Sequence, residues 1–195
     1  MSESIVHVVD DDGSFARSMT RLLGAHGFYV RAFGSGAELL AAIPADPRGC
    51  VVMDLRMPGL DGLQVQDALA SRGIRLPVVF LTGQADIPSS VRAMRQGAVD
   101  FLEKRAPERD LVAAIRRALD ADDARSGLRE RFARLSGREL EILRHVVRGR
   151  MNKQIAADLG IHERTVKLHR SAITTKLGVR SAAELASLAR DAGLS

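Results

Sequence analysis

The chain has 195 residues, 46% of them apolar, one cysteine and a net charge of +5. That length allows one large domain or two small ones with real cores. The lone thiol, Cys50, excludes a disulfide framework and points to a reducing compartment, and no apolar run approaches the ~20 residues that cross a bilayer. With a strand and no basic leader at its start, the chain is expected to be cytoplasmic, with no membrane partner. The charge is uneven: residues 1–122 carry 14 Lys/Arg against 16 Asp/Glu, whereas residues 123–195 carry 15 against 8. A basic second half suggests a polyanion partner.

In chain order, Ile5–Val9 reads as a strand that ends in Asp10-Asp11-Asp12, before an apolar-periodic helix over residues 15–23 closed by His26-Gly27. Residues 28–33 alternate as a second, more peripheral strand. Ser35, with Glu38 three residues on, opens a helix through Leu39, Leu40 and Ile43. Cys50, Val51, Val52 and Met53 are a short apolar run of the kind that fills a buried parallel strand, and Asp54 stands at its end. Pro58-Gly59 and Asp61-Gly62 then turn the chain twice. Residues 62–72 are helical, residues 76–81 form a buried strand ending in Thr82-Gly83, and residues 86–96 are helical. A short strand over residues 98–102 ends in Glu103-Lys104, and Pro107 starts a helix through Leu111, Ile115 and Leu119.

Five strands alternating with five helices through short connections predict an α/β domain with a parallel sheet covered on both faces. The polar groups then collect at one edge: Asp10 and Asp11 end the first strand, Asp54 the third, Thr82 the fourth and Lys104 the fifth. Carboxylates crowded together repel, by roughly 4 kcal/mol for two unit charges ~4 Å apart at an effective dielectric near 20. A cation must hold them, and oxygen ligands with room for water suit Mg²⁺. A Lys head group and a Thr hydroxyl beside the metal are what a phosphoryl group needs while a carboxylate attacks it. The edge reads as an aspartyl-phosphate site.

The segments V-V-D-D-D, V-V-M-D-L-R-M-P-G-L-D-G, V-V-F-L-T-G and A-V-D-F-L-E-K resemble the receiver domain of bacterial two-component response regulators, over residues 4 to about 120. The resemblance implies a flavodoxin-like (βα)5 fold with Asp54 as phosphoacceptor. It implies that Asp10, Asp11 and Asp54 hold Mg²⁺ with the backbone carbonyl of Arg56, that Thr82 and Lys104 contact the phosphoryl oxygens, and that Phe101 changes rotamer on activation. One departure stands out. The family usually has Pro after the Lys, often with a cis bond, whereas Arg105 follows Lys104 here and a trans peptide is expected.

Residues 121–134 are charged and contain Ser126-Gly127, but Leu128 and Phe132 keep an i, i+4 apolar spacing, so this linker is expected to be partly helical. From Ser136 the pattern is helical only. Ser136 with Glu139 and Ser181 with Glu184 read as two capping boxes around a small all-α domain of four helices. Asn152 is expected to cap its second helix, Gly160 to make a tight turn, and residues 162–177 to form the third helix. This is a helix-turn-helix whose later helix enters the DNA major groove. Val166, Ile173 and Leu177 make its buried stripe and leave Thr165, Lys167, His169, Arg170 and Lys176 for the outer face.

This second half, residues 135–195, resembles the LuxR-type helix-turn-helix domain, and the two resemblances together give the arrangement of FixJ- and NarL-type regulators. By that analogy Lys167, Leu168 and Ser171 lie near bases, while Lys153, Thr165, His169 and Lys176 contact the DNA backbone. His162 stands where the family commonly has a small N-cap, which weakens that helix start by about 1 kcal/mol. The implied protein is a non-enzymatic transcription factor. A sensor histidine kinase phosphorylates residues 1–120, the phosphorylated form is a homodimer, and residues 135–195 bind double-stranded promoter DNA, with RNA polymerase as a further partner. The alternative is a haloacid-dehalogenase-type phosphatase, because Asp10-Asp11-Asp12-Gly13-Ser14 also fits D-x-D-G-[ST], with Asp10 as nucleophile and Asp12 as acid/base. It leaves the Asp54 loop and the basic half without a use.

Overall fold

A computed structural model describes residues 4–83 and 87–192. The chain divides into two compact units, Met1–Asp123 and Ala124–Ser195. The first holds strands β1 (Ile5–Val9), β2 (Tyr29–Phe33), β3 (Gly49–Asp54), β4 (Val78–Thr82) and β5 (Asp100–Glu103), with helices α1 (Gly13–Ala25), α2 (Gly36–Ala42), α3 (Gly62–Ser71) and α4 (Ile87–Arg95) between them. All strand pairs are parallel, in the order β2-β1-β3-β4-β5. This is the doubly wound order of flavodoxin-like folds, whose ligands lie beyond the carboxyl ends of the strands where the strand order reverses.

Alternation along the strands divides the core in two. Val9, Val51, Met53, Val78 and Phe80 face Leu39 and Leu40 of α2, Leu63, Val65 and Leu69 of α3 and Ala93 of α4. Val6, Val8, Cys50, Val52, Val79 and Leu81 face Met19 and Leu23 of α1 and Leu111, Ala114, Ile115 and Ala118 of α5 (Glu108–Ala133). The central β3 is buried along its whole length, which explains its unbroken apolar run. β2, at the sheet edge, is mostly exposed. Strands β4 and β5 begin two residues later than their apolar runs suggest. The helix expected from Asp86 is described only from Ile87, Asp86 itself lying outside the described residues.

α5 is one helix through Ala133, so the expected linker is helical almost throughout. Gly127 lies inside it with open space where a Cβ would stand; a single helical glycine costs about 1 kcal/mol relative to Ala, and the rest of the turn absorbs it. Asp122 is buried and accepts from Arg48 Nε at 2.9 Å and from the Gly49 amide at 3.0 Å, which fastens the start of β3 to α5.

The second unit holds α6 (Gly137–Val147), α7 (Asn152–Leu159), α8 (Glu163–Leu177) and α9 (Ala182–Asp191). Ile142, Leu143, Ile155, Val166, Ile173, Leu177 and Leu185 form its core, together with Phe132 and Leu135 from the end of α5 and the turn after it. Ser136 and Glu139 make the reciprocal capping box at α6. At α9, Ser181 accepts from the Glu184 amide, while the Glu184 carboxylate reaches one residue further back, to the Arg180 amide. Gly160 ends α7 in the left-handed conformation (φ 62°), with the Ile161 amide returning to the Ala156 carbonyl at 3.0 Å. That is the turn between α7 and α8.

Candidate functional site

The acidic site is assembled by loops that leave the sheet at one edge. Asp10 directly follows β1, its amide held by the Phe33 carbonyl, and is 2% exposed. Asp54 is the last residue of β3, buried, with one carboxylate oxygen accepting from the Arg56 amide at 3.1 Å. Asp11 is exposed, and ligand oxygens of Asp10, Asp11 and Asp54 come within 4.8 Å of one another. The loop after Asp54 runs back so close that a Cβ on Gly62 would lie 2.6 Å from the Asp54 carbonyl oxygen and 2.8 Å from the Phe80 ring. Glycine is needed there for close approach, and Asp61 then caps α3 in a reciprocal box with Gln64.

The charge balance depends on Lys104. Its Nζ lies 2.6 Å from Asp10 Oδ2 and 2.6 Å from Asp54 Oδ2, and 4.5 Å from the centre of the Phe15 ring. Burial, with the charge of Asp54 adding to it, pushes the Asp10 carboxyl above its ordinary range, against the pull of Lys104 and the Asp12 amide. Burial also works against the charged form of Lys104, but bonds to the two carboxylates outweigh it and raise the ammonium pKa. The backbone positions this side chain. Thr82 and Glu103 are register partners, and the Lys104 amide donates to the Thr82 carbonyl at 2.8 Å. The Lys104–Arg105 peptide is trans, as are all the described peptides.

Thr82 is buried at the end of β4. Phe101 is half-buried on β5, and its ring lies 6.1 Å, centre to centre, from that of its register partner Phe80. The donor set fits a hard divalent cation: three carboxylates converge, one of them solvent-exposed, beside the Lys104 ammonium. Asp12 takes a different place. It is the N-cap of α1, accepting from the Ser14 hydroxyl at 2.6 Å and from the Ser14 and Phe15 amides, contacts that hold its carboxyl below the ordinary range.

The basic unit offers a second surface. On α8, Val166, Ile173 and Leu177 are buried and Lys167, Leu168 and Ser171 exposed, Leu168 at 65%. Thr165 and His169 are half-buried, and Lys153 on α7 is exposed. Two expectations need correction. Arg170 is not on the outer face: it is half-buried, and its guanidinium donates to Asn152 Oδ1 at 2.6 Å. Asn152 is accordingly the first residue of α7 and not its cap; Met151 is the N-cap, with Gln154 returning to the Met151 amide at 2.9 Å. Lys176 Nζ pairs with buried Glu139 at 2.7 Å, and Lys167 with Glu163 one turn away at 3.2 Å. His162 caps α8 without a side-chain hydrogen bond. One residue that the sequence did not single out thus touches an expected site, Phe15 at Lys104, and Asn152, expected as a helix cap, instead meets Arg170; both contacts are tertiary, so no local pattern announces them.

Among the described residues, no helix is long and apolar enough to cross a membrane. Residues 6–116 match the model of the response regulator receiver domain, and residues 133–189 that of the bacterial regulatory proteins of the luxR family. The chain is 42% identical to Nodulation protein W of Bradyrhizobium diazoefficiens, covering 100% of this chain and 88% of that protein. It is also 42% identical to Transcriptional regulatory protein FixJ of Azorhizobium caulinodans, covering 100% and 96%. Among solved structures, response regulator StyR superposes with a TM-score of 0.61 at 40% identity, over 97% of this chain and 99% of that one. Full-length FixJ from B. japonicum superposes with a TM-score of 0.57 at 35% identity, over 100% of both chains.

Proposed function

The chain belongs to the two-component response regulators and is a transcription factor with a receiver domain and a LuxR-type DNA-binding domain; on that premise we propose that phosphorylation of Asp54 by a sensor histidine kinase controls its binding to promoter DNA. The observation that carries this reading is the Lys104 ammonium, 2.6 Å from both Asp10 and Asp54 at the carboxyl edge of the sheet. In the transfer, an Asp54 carboxylate oxygen forms a bond to the donor phosphorus. The donor's P–N bond breaks, and its electron pair stays with the kinase imidazole, which takes up a proton. Lys104 and Thr82 then hold the phosphoryl oxygens, which draws the ammonium away from its present carboxylate partners. Asp10, Asp11, Asp54 and the Arg56 carbonyl would hold Mg²⁺, which offsets the negative charge gathered there.

Phe101, half-buried against Phe80, is the aromatic expected to change rotamer with Thr82. The phosphoacceptor domain is taken as residues 1–120, the linker as 121–134 and the DNA-binding domain as 135–195. Within the last, α8 enters the major groove, with Lys167, Leu168 and Ser171 near bases and Lys153, Thr165, His169 and Lys176 toward the backbone. The active species is a cytoplasmic homodimer that works with RNA polymerase and has no enzymatic activity of its own. The exposed apolar row Ile87, Val91 and Met94 on α4 supports pairing through that helix, which follows Thr82 in the chain. A phosphatase reading would need Asp12 as acid/base, and Asp12 is engaged as a helix cap. The deciding experiment is operator binding with and without acetyl phosphate and Mg²⁺ at fixed salt. Affinity should rise on phosphorylation; equal affinity in both states would remove the phosphorylation control.

A further inference from the structure

The four Lys and Arg side chains of α8 are not equivalent. Lys167 is paired with Glu163, Arg170 with Asn152, and Lys176 with Glu139. Arg164 is exposed and has no hydrogen bond or ion pair among the described residues. It is the second residue of α8. Arg164, Leu168, Ser171 and Thr175 are all exposed and follow at spacings of four, three and four, so they form one ridge along the helix, opposite the buried Val166, Ile173 and Leu177.

We infer that Arg164 is a specificity-determining residue of this protein that reads a guanine in the major groove, an inference that rests on the reading of α8 as the DNA-contacting helix. In helix-turn-helix proteins the N-terminal residues of the second helix meet base edges, and Arg164 occupies that end of the outermost ridge. Its fork of donors matches the O6 and N7 acceptors of guanine, the most common specific pairing in the groove. The other cations of α8 must first give up a partner inside the protein. For Arg170 and Lys176 that partner is half-buried or buried, so their charge is partly committed to the fold. Arg164 breaks no internal bond when it turns to a base. Next to it, Leu168 offers no donor, so base reading by hydrogen bonds at this end of the ridge falls to the arginine.

The test uses the phosphorylated full chain and a duplex recovered by selection from a randomised pool. Each guanine is then replaced singly by 7-deazaguanine, which removes the N7 acceptor and keeps base pairing. The parent protein should lose about tenfold in affinity at one guanine per half-site. Arg164→Ala should lose a similar factor on the unmodified duplex and nothing further when that guanine is modified, with its melting temperature unchanged. If Arg164→Ala instead weakens all duplexes equally, with a salt slope shallower by about one, the residue contacts phosphate and the inference is overturned. Unchanged affinity overturns it as well. A parent protein that selects no preferred duplex would overturn the DNA-reading role of α8 itself, a separate result.

Discussion

The Lys104 amide donates to the Thr82 carbonyl at 2.8 Å, joining the two residues expected to grip a phosphoryl group through the backbone of adjacent strands. A shift at either strand end is therefore felt at the other, while the Lys104 side chain is tied to Asp10 and Asp54. Lys104→Ala should leave two buried carboxylates without their cation. In metal-free buffer it should cost about 2 kcal/mol, less than a fully buried pair because the ammonium is partly exposed. Mg²⁺ should restore part of that loss. Melting curves with and without Mg²⁺ check this; a variant as stable as the parent without metal would show that the bridge contributes nothing. The same variant should keep some phosphorylation and lose the rise in DNA affinity.

Asp54→Asn should reduce labelling by acetyl phosphate to background, because an amide is a poor nucleophile and a poorer metal ligand. Intact-mass measurement is enough: one added phosphoryl group on the parent and none on the variant. A labelled variant would place the acceptor elsewhere.

His7 gives the protein an acid sensitivity unrelated to the phosphoacceptor. It is buried in β1 against Phe33, and burial first, then the charge of Arg31, lowers its pKa from 6.5 to about 4. The unfolded chain therefore binds a proton that the folded one refuses between about pH 6.5 and pH 4, and stability falls as the pH drops through that window, by roughly 3 kcal/mol in all. Asp10 acts in the opposite sense: its raised pKa makes the native state take a proton more readily, which costs stability at neutral pH and is relieved by acid. Urea titrations at pH 7 and pH 5 should show the His7 loss in the parent and a smaller one in His7→Phe. Equal losses would remove His7 as the cause.

The DNA-binding unit should need more chain than residues 135–195. Phe132 is buried in its core, and Lys176 reaches back to the Arg134 carbonyl. A fragment of residues 124–195 should melt well above one of residues 135–195, since losing a buried Phe costs about 3 kcal/mol or more. In the longer fragment, Lys167→Ala should weaken operator binding while leaving the fold intact. If neither fragment binds DNA at low salt, the nucleic-acid reading of the basic half is wrong.

Pairing through α4 has its own test. Ile87 is 79% exposed, with Val91 and Met94 also on the surface. Ile87→Asp should abolish dimerisation of the phosphorylated protein in sedimentation at tens of micromolar without preventing phosphorylation. A parent that stays monomeric when phosphorylated would favour simple release of the DNA-binding domain.

Much of the fold was legible because local chemistry and tertiary structure agree. The apolar run of β3, the Ser35 and Ser136 caps and the Gly160 turn each follow from a local rule that the packing does not override. Sequence reading failed where a polar side chain had two possible partners. Asn152 fits an N-cap locally, but Arg170, eighteen positions away, takes its oxygen; Arg170 follows Val166 by four and precedes Ile173 by three, so helical spacing itself sets it beside the buried stripe and not on the outer face. The charged linker with Ser126-Gly127 is expected from sequence to be only partly helical, and α5 continues through it to Ala133. At the acidic edge, residue types and strand ends were enough to name the carboxylates, whereas the stacking of Lys104 over Phe15 depends on how α1 returns to the sheet.

Cys50 lies at the centre of the sheet, fully shielded, and burial pushes its thiol up to about 12. At neutral pH it is neither ionised nor reachable by maleimides or methanethiosulfonates. The folded protein should therefore react little with thiol-directed labels. A single cysteine placed at an exposed position such as Ser171 or Val91 can carry a fluorophore or spin label with no prior removal of a native thiol, so motions of α8 or α4 can be followed in an otherwise unaltered chain.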